Sequence, residues 1–275
     1  MKSVFASDFE VSTASPWRSW FYVNDGFKDD FLSLVESNAL QKDGEFPVIW
    51  NTKQKYVLKV QCASGRVFAY KAYNRLKKQY KFFFRLSPCG AEAANYQQIN
   101  SLGIKTPQLL AVGDTRIRGV LKTAFIATEF VGDYQDGRAF FADGALYGRV
   151  DLCDEFICRN MQLLARLHDH NILHRGFTPM NLLFREKINP ASGDDLLDIM
   201  WIDLASCRKL PRFMLKRRLI VDFEQFFRFF DFSSEKLRKY LACYLAAAEN
   251  PLAASEDVLL AKLEKSLLKR RKKHC

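Results

Sequence analysis

Four side chains that could bind a phosphate group and its counter-cation occur in a fixed order along the 275-residue chain. Lys71 ends an apolar segment, and Glu92 follows on a segment of helical character. Asn181 closes the sequence His-Arg-Gly-Phe-Thr-Pro-Met-Asn, which begins at His174. Asp203 comes directly after a short apolar run.

The chemistry of these residue types explains why they would be combined. Phosphoryl transfer depends on positioning and on neutralising negative charge more than on covalent chemistry. A lysine can hold the α- and β-phosphates, and a glutamate on a neighbouring helix can pair with that lysine and fix its reach. Mg²⁺ is a hard cation that prefers oxygen ligands, which an asparagine and an aspartate supply. The ordered set therefore predicts a kinase that uses ATP and Mg²⁺, with Asn181 and Asp203 as the metal ligands.

Each of these residues has a plain structural explanation when it is taken alone. A lysine at a strand end is usually solvated, a glutamate on a helix is usually exposed, and Asp203 could be a turn residue. His174 is better explained as a structural loop residue than as a base. The order and spacing of the whole set carry the kinase hypothesis.

The predicted secondary structure changes from mainly strands to mainly helices near Gly132. The predicted strands are 56–60, 66–73, 109–112, 124–128 and the short run 200–202, and the predicted helices are 91–102 and 151–168. From about residue 218 the chain is helical and amphipathic. We therefore expect an α+β fold in two lobes. Residues 1–131 would form a small antiparallel sheet with one helix, and residues 132–275 a larger, mainly helical lobe with the catalytic loop.

The composition predicts an anionic partner, because the formal net charge is +11. A phosphorylated substrate, an anionic membrane and nucleic acid all fit this charge. No zinc-finger, RNA-recognition or basic-zipper motif is present, so we do not expect nucleic acid. Seven irregularly spaced cysteines without a Cys-x-x-Cys pair, and only four histidines, predict reduced thiols and no Cys/His metal site.

No segment of the sequence predicts export or membrane insertion. The first 21 residues include Asp8 and Glu10 and lack an unbroken apolar run. No stretch approaches the roughly 18 consecutive apolar residues of a membrane span. We therefore expect a cytoplasmic protein, with peripheral contact to the inner membrane.

Residues 174–181 resemble the kinase catalytic loop, His-Arg-Asp-x-x-x-x-Asn. Over residues 55–230 or so the chain resembles the bacterial lipopolysaccharide kinases, which phosphorylate heptose or Kdo sugars of the core. The segments that carry this resemblance are 91–104 with Thr106-Pro107, 166–168, 202–204, 210–212 and 221–223. The resemblance implies a protein-kinase-like fold. It also implies ATP-dependent phosphorylation of a lipopolysaccharide core sugar, or of another anionic glycolipid, at the cytoplasmic membrane face.

The resemblance implies a role for each matching residue. Lys71 would contact phosphate with Glu92 as its ion-pair partner, and Glu129 would lie at the hinge, where backbone groups meet adenine. Asp222 would hold the backbone of the catalytic loop from a buried helix, or else be a plain surface aspartate. The catalytic residues would be His174, Arg175, Asn181 and Asp203, and the last two would also bind the metal.

Two positions depart from the kinase pattern. No Gly-x-Gly-x-x-Gly sequence precedes Lys71, and residues 51–55 stand where that loop is expected, so their lysines would cover the phosphates. Gly176 replaces the aspartate that accepts the acceptor's hydroxyl proton. General-base catalysis is typically worth about 10²–10⁴ in rate. The carboxylates that could substitute for it are Asp169, Asp194 and Asp195. The alternative hypothesis is a catalytically impaired pseudokinase that binds nucleotide and acts as a binding partner.

Two basic segments could bring the protein to an anionic surface. Residues 208–218 contain six Lys or Arg and no acid. They would dock an acidic or phosphorylated acceptor, or else form a solvated face. Residues 269–273 form a basic tail, which could contact anionic lipid at about 1 kcal/mol per basic residue. The phenylalanines of 223–230 are expected in the core. A protein that binds nucleic acid instead would require Lys71 and Asp203 to be coincidental.

Overall fold

The computed structural model describes residues 17–74, 79–187, 196–250 and 255–274. The chain divides into two compact units. The first runs to residue 98 and resumes over 107–131, and the second consists of 99–106 together with the chain from 132 onward. Residues 99–106, which the sequence analysis assigns to the first lobe, therefore group with the second unit.

The first unit is built on a six-stranded antiparallel sheet with the strand order β1-β5-β6-β4-β3-β2. Its strands are β1 (Trp20–Val23), β2 (Val48–Asn51), β3 (Lys55–Gln61), β4 (Val67–Tyr73), β5 (Leu109–Ile117) and β6 (Val120–Glu129). The helices are α1 (Lys28–Glu36) and α2 (Pro88–Ser101), of which the last residues belong to the second unit. The predicted mixed fold, a small antiparallel sheet followed by a mainly helical part, is confirmed.

The β3–β4 hairpin follows directly from its sequence pattern. Leu58 and Val60 alternate with more exposed residues and are fully buried, as expected for a strand with one face in the core. Gly65, in the turn, has φ +84°, a conformation that glycine adopts without a steric penalty. Lys71 is paired with Val57 of β3 on one side and with Ile126 of β6 on the other. The backbone of Lys71 is therefore fixed in the middle of the sheet.

The second unit is mainly helical. Its helices are α3 (Val150–Asp169), α4 (Arg212–Arg218), α5 (Ile220–Phe227), α6 (Ser234–Ala247) and α7 (Glu256–His274). Its short strands are β7 (Gln135–Asp136), β8 (Ile172–Leu173), β9 (Leu182–Glu186), β10 (Leu197–Trp201) and β11 (Arg208–Lys209). They form one sheet in the order β10-β9-β7 and a pair, β11-β8, with antiparallel neighbours.

Helix α3 is the centre of this unit. Phe156, Met161 and Leu164 lie on its buried stripe at the spacing of an amphipathic helix. Each such side chain contributes about 1.5–3 kcal/mol when it leaves water. Phe223, Phe226 and Phe227 of α5 are also fully buried, as predicted for core residues, while Phe229 and Phe230 are half-buried.

A disulfide joins Cys158 of α3 to Cys243 of α6, with their Cα atoms 5.4 Å apart. The prediction of reduced thiols is therefore wrong for this pair. The two cysteines are separated by 85 residues, so no local spacing pattern could reveal that the helices bring them together. Four other described cysteines are free thiols, namely Cys62, Cys89, Cys153 and Cys207.

Within the described ranges, no helix combines the length and the hydropathy that crossing a bilayer requires.

Candidate active site

Lys71 and Glu92 form an ion pair inside the first unit. The Nζ atom of Lys71 lies 3.0 Å from Oε1 and 2.9 Å from Oε2 of Glu92, and the glutamate side chain is only 2% exposed. Helix α2 presents Glu92 on the same buried face as Tyr96 and Ile99. The helix begins at Pro88, a residue whose fixed φ suits a first helical position. The predicted ion pair is therefore present.

The β2–β3 turn occupies the place where a glycine-rich loop was expected. The backbone N–H of Thr52 donates to the carbonyl of Lys55 at 2.8 Å. The Thr52 hydroxyl oxygen accepts from the backbone N–H groups of Gln54 and Lys55, at 3.3 Å in each case. A side-chain hydroxyl thus closes this turn, and no glycine is needed for it.

Glu129 is the last residue of β6, and its side chain is exposed. Its backbone N–H donates to the carbonyl of Gln108 at 2.9 Å. The first unit ends two residues later, at Val131. The contact with adenine stays a prediction for this position.

Asp222 holds the backbone of the loop that begins at His174. Its carboxylate accepts from the N–H of His174 at 2.8 Å and from the N–H of Arg175 at 2.7 Å. Asp222 lies on α5 and is completely buried, so it is the buried anchor and not a surface aspartate. Arg175 has φ +60°, a conformation that costs a non-glycine residue energy and persists when surrounding contacts enforce it.

Two further buried residues orient this carboxylate. The Nε2 atom of His168, on α3, lies 3.2 Å from Oδ2 of Asp222, and its Nδ1 atom lies 3.0 Å from the hydroxyl of Tyr244, on α6. Because a carboxylate only accepts, His168 donates to Asp222 through Nε2, and its Nδ1 atom shares a hydrogen bond with the Tyr244 hydroxyl. Burial raises the pKa of Tyr244, which keeps its hydroxyl a donor. Residues of α3, α5 and α6 therefore hold the backbone of the loop that begins at His174.

The side chain of His174 stabilises the loop. The backbone N–H of Gly176 donates to Nδ1 of His174 at 3.2 Å, and the ring packs edge-on against Phe177 and Trp201. Complete burial lowers the pKa of His174, so the ring is neutral. These contacts support the structural explanation that the sequence analysis favoured over a base.

Asn181 and Asp203 are brought together by the backbone. The N–H of Ile202, which precedes Asp203, donates to the carbonyl of Asn181 at 2.9 Å. The side-chain amide nitrogen of Asn181 donates to the carbonyl of Gly176 at 2.9 Å, which leaves its oxygen as the atom that can meet a cation. Asp203 has φ +54° and ψ +55°. An amide oxygen and a carboxylate on adjacent backbones form a donor set that fits Mg²⁺, which usually takes one or two such protein ligands and completes its shell with water and phosphate.

No group of three or more His, Cys, Asp and Glu side chains in the described ranges is arranged to hold a metal ion.

Gly176 does not use a conformation that only glycine can adopt. Its φ lies outside the left-handed region, and a Cβ atom placed on it would lie 3.6 Å from Nδ1 of His174 and 3.8 Å from Nδ2 of Asn181. These are ordinary van der Waals distances. The loop therefore has room for a Cβ atom at this position.

Asp169 is not available as a substitute base. Its two carboxylate oxygens accept from the backbone N–H groups of Glu249 and Asn250, at 3.0 and 3.1 Å. Asp194 and Asp195, the other candidates, lie outside the described residues.

Comparison with known proteins identifies the family. A sequence profile of the lipopolysaccharide kinase (Kdo/WaaP) family matches residues 50–244, which is more than half of the chain. The chain belongs to this family. A search of curated protein sequences gives no match.

Two solved structures are similar to this chain. One, described as WaaP in complex with acyl carrier protein, has a TM-score of 0.64 at 18% identity and covers 90% of this chain and 98% of its own. The other is described as a Rio2 kinase-ADP/Mg2+-phosphoaspartate complex from Chaetomium thermophilum. It has a TM-score of 0.44 at 15% identity and covers 89% of this chain and 75% of its own. The match to the first structure confirms the predicted protein-kinase-like fold.

The sequence analysis of this lipopolysaccharide kinase family member missed several positioning residues. It gave no role to His168 or Tyr244, and none to Asn160, whose side-chain oxygen accepts from Nε1 of Trp201 at 2.8 Å and ties β10 to α3. One signal was available, because His168 and Asn160 share the face of α3 with its buried leucines. A polar residue on an apolar helix face needs a partner, but the sequence does not name that partner.

The basic segment 208–218 lies on the surface of the second unit, and all six of its basic residues are exposed. An apolar groove of about 470 Å³ runs between α4 and α7, and its rim carries cations. The groove is lined by Phe213, Lys216, Arg217, Leu219, Ile220, Val258, Leu259 and Lys262.

Proposed function

We propose that this protein is an ATP-dependent kinase that phosphorylates a heptose or Kdo sugar of the lipopolysaccharide core at the cytoplasmic face of the inner membrane. The observation that carries the proposal is the hydrogen bond from the N–H of Ile202, the residue after β10, to the carbonyl of Asn181. This single hydrogen bond sets an amide oxygen and the Asp203 carboxylate on adjacent backbones. Family membership supplies the acceptor class.

The residues of the first unit would bind nucleotide. Lys71 would bind the α- and β-phosphates, and Glu92 would hold the lysine side chain in an extended and reproducible position. An ion pair with both glutamate oxygens restricts the lysine more than a single contact would. The backbone at Glu129 would meet adenine, and the lysines of 51–55 would lie over the phosphates.

The residues of the second unit would hold the metal and the acceptor. Asn181 and Asp203 would bind Mg²⁺, which neutralises charge on the phosphate oxygens when it is present. His174 and Arg175 supply the loop backbone that Asp222 fixes. The exposed cations of 208–218 are suited to an acceptor that carries phosphate or carboxylate groups.

Gly176 favours a second candidate function. The position that would accept the hydroxyl proton has no side chain, and Asp169 is engaged elsewhere. A protein with the same nucleotide-binding residues and no transfer activity would be a pseudokinase that acts as a binding partner. Positioning and charge neutralisation supply much of the rate of phosphoryl transfer without a base, so we favour a slow kinase.

The proposal is tested by nucleotide binding and by acceptor choice. Saturating ATP with Mg²⁺ should stabilise the protein by about 2.7 kcal/mol at a hundredfold excess over Kd. Purified core oligosaccharides that retain only Kdo, or Kdo with heptose, should then separate the two acceptors by mass spectrometry of the phosphorylated product. Stability that does not respond to ATP and Mg²⁺ would contradict both candidate functions.

A further inference from the structure

An exposed group of aromatic side chains lies in the first unit, outside all the residues discussed so far. Trp17, Tyr80 and Phe84 are 44%, 67% and 72% exposed. Trp17 packs edge-on against Phe83 and Phe84, with ring centroids 4.7 and 4.5 Å apart. Tyr80 is joined to the group by the hydrogen bond from the N–H of Phe83 to its carbonyl, 3.1 Å long. We name Trp17, Tyr80 and Phe84 the aromatic patch.

Among the described residues, the charged side chains next to the patch in the sequence are all basic. Its side chains alternate along the chain with four exposed cations, namely Arg18, Lys81, Arg85 and Arg118. Arg118 belongs to the patch because the next residue, Gly119, packs against Phe83, so that a Cβ there would lie 2.8 Å from that ring. None of these cations makes an ion pair with a residue that the structure describes. The segments 79–85 and 115–123 contain no acidic residue.

A buried ion pair holds the backbone under the patch. Arg116 donates to both oxygens of Asp114, at 2.9 and 3.1 Å, and both side chains are fully buried. The same guanidinium donates to the carbonyls of Phe82 and Arg85, at 2.8 and 3.1 Å. The Ser19 hydroxyl exchanges two further hydrogen bonds with the backbone of Arg116, which ties in the segment that carries Trp17.

The buried ion pair is better explained by the backbone that it holds than by a gain in stability. A buried arginine and aspartate lose their hydration, and a hydrophobic pair of similar volume often serves stability as well. Here the Arg116 guanidinium also donates hydrogen bonds to the backbone carbonyls on either side of Phe83 and Phe84. A surface whose backbone is already ordered loses less conformational entropy when it binds. The arrangement is therefore suited to presenting aromatic side chains outward.

We propose that the aromatic patch and its four cations dock this protein on an anionic lipid bilayer. Tryptophan and tyrosine concentrate at the interface of membranes, where an apolar ring and a polar edge are both satisfied. Lysine and arginine beside them are attracted to anionic headgroups. The three side chains are 44–72% exposed, which suits contact with a broad surface. The patch is a different surface from segments 208–218 and 269–273, for which the sequence predicts contact with an anionic surface.

The inference deepens the proposed function, since a glycolipid acceptor is met at a membrane, but its test needs no catalysis. Binding to vesicles of phosphatidylcholine with about 30% phosphatidylglycerol is measured by co-sedimentation without nucleotide, and compared with pure phosphatidylcholine vesicles. The wild type should bind the anionic vesicles. Tyr80→Ala with Phe84→Ala should weaken binding about tenfold or more. Lys81→Gln with Arg85→Gln should weaken it about fivefold per charge.

The matched controls lie on the other basic surface. Phe213→Ala, and Lys216→Gln with Arg217→Gln, remove the same kinds of group from the second unit and should change vesicle binding less than twofold. Brominated acyl chains should quench the tryptophan fluorescence of bound wild type, and Trp17→Phe should remove most of that quenching. All replaced side chains are exposed, and circular dichroism checks that each variant is folded.

The docking proposal would be overturned by no binding of the wild type to anionic vesicles, by unchanged binding of the patch variants, or by an equal loss in the controls. Preferential binding of RNA through the patch at the same salt concentration would also overturn it. Transfer to a soluble, deacylated core oligosaccharide should be the same in the patch variants and the wild type. A protein that binds vesicles through the patch but never transfers phosphate would contradict the proposed function and leave the docking surface supported.

Discussion

The two carboxylate oxygens of Glu92 lie 3.0 and 2.9 Å from Nζ of Lys71, with the glutamate almost completely buried. The interaction can be dissected because each partner has an isosteric or apolar replacement. Glu92→Gln leaves Lys71 charged in a site that is only 13% exposed. Breaking a buried pair from one side typically costs about 3–5 kcal/mol.

We therefore expect Glu92→Gln to lower the free energy of unfolding in urea by about 3 kcal/mol and to weaken ATP binding. The double replacement Lys71→Met with Glu92→Leu should recover the stability to within about 1 kcal/mol of the wild type, because it leaves no unpaired charge. It should not recover nucleotide binding. A double variant that binds ATP as the wild type does would show that Lys71 has no part in the nucleotide site.

The local elements of the site follow from the sequence better than its long-range contacts do. The hairpin that carries Lys71 follows from its alternating pattern and its Ser64-Gly65 turn, and it lies where it was predicted. The helix that carries Glu92 follows from its helix-forming residues and the stop at Gly103, and it begins three residues earlier than predicted, at Pro88. Strand β1 and the short strand β9 were missed, since four or five residues do not establish a period. The hydrogen bonds from Tyr244 to His168 and on to Asp222 join residues up to 76 positions apart. Such contacts are set by helix packing, which one sequence does not encode in any local pattern.

Asp222→Asn tests the anchor of the catalytic loop. The amide has one oxygen acceptor in place of two, and its NH₂ group would face a backbone donor or His168. Hydrogen bonds to charged groups are worth about 1.5–3 kcal/mol each, so we expect a loss of roughly 3 kcal/mol in stability. Amide hydrogen exchange at His174 and Arg175 should accelerate more than exchange in β3, which serves as the internal reference. Equal acceleration at both places would mean global destabilisation and no specific anchoring.

Stability should depend on pH through His174. Burial lowers the pKa of its imidazole in the folded state, so below about pH 6.5 the unfolded chain binds a proton that the folded chain does not. The free energy of unfolding should therefore fall with acidification below that pH, by at most about 1.4 kcal/mol per pH unit from this group. His174→Gln should flatten the profile between about pH 6.5 and 5. Profiles of equal slope in the wild type and the variant would rule out His174 as the source.

Gly176→Asp tests whether the loop can regain a base. The Cβ position is open and the φ angle is ordinary, so the variant should fold with its stability within about 1 kcal/mol of the wild type. Gly176→Ala controls for the loss of glycine alone. If the site transfers phosphate slowly for lack of a base, Gly176→Asp should raise kcat by up to about 10²–10⁴, and Gly176→Ala should leave it unchanged. A folded Gly176→Asp variant with lower kcat than Gly176→Ala would mean that another group already acts at this position.

The most direct test of the account is the transfer of the γ-phosphate of labelled ATP to purified, deacylated core oligosaccharide, with Asp203→Asn run beside the wild type. Both proteins are first matched for folding by circular dichroism. The account predicts Mg²⁺-dependent transfer by the wild type and at least a hundredfold less by Asp203→Asn, because that variant loses the carboxylate proposed to bind Mg²⁺. Equal transfer by the two proteins, or none by a wild type that ATP and Mg²⁺ still stabilise, would contradict it.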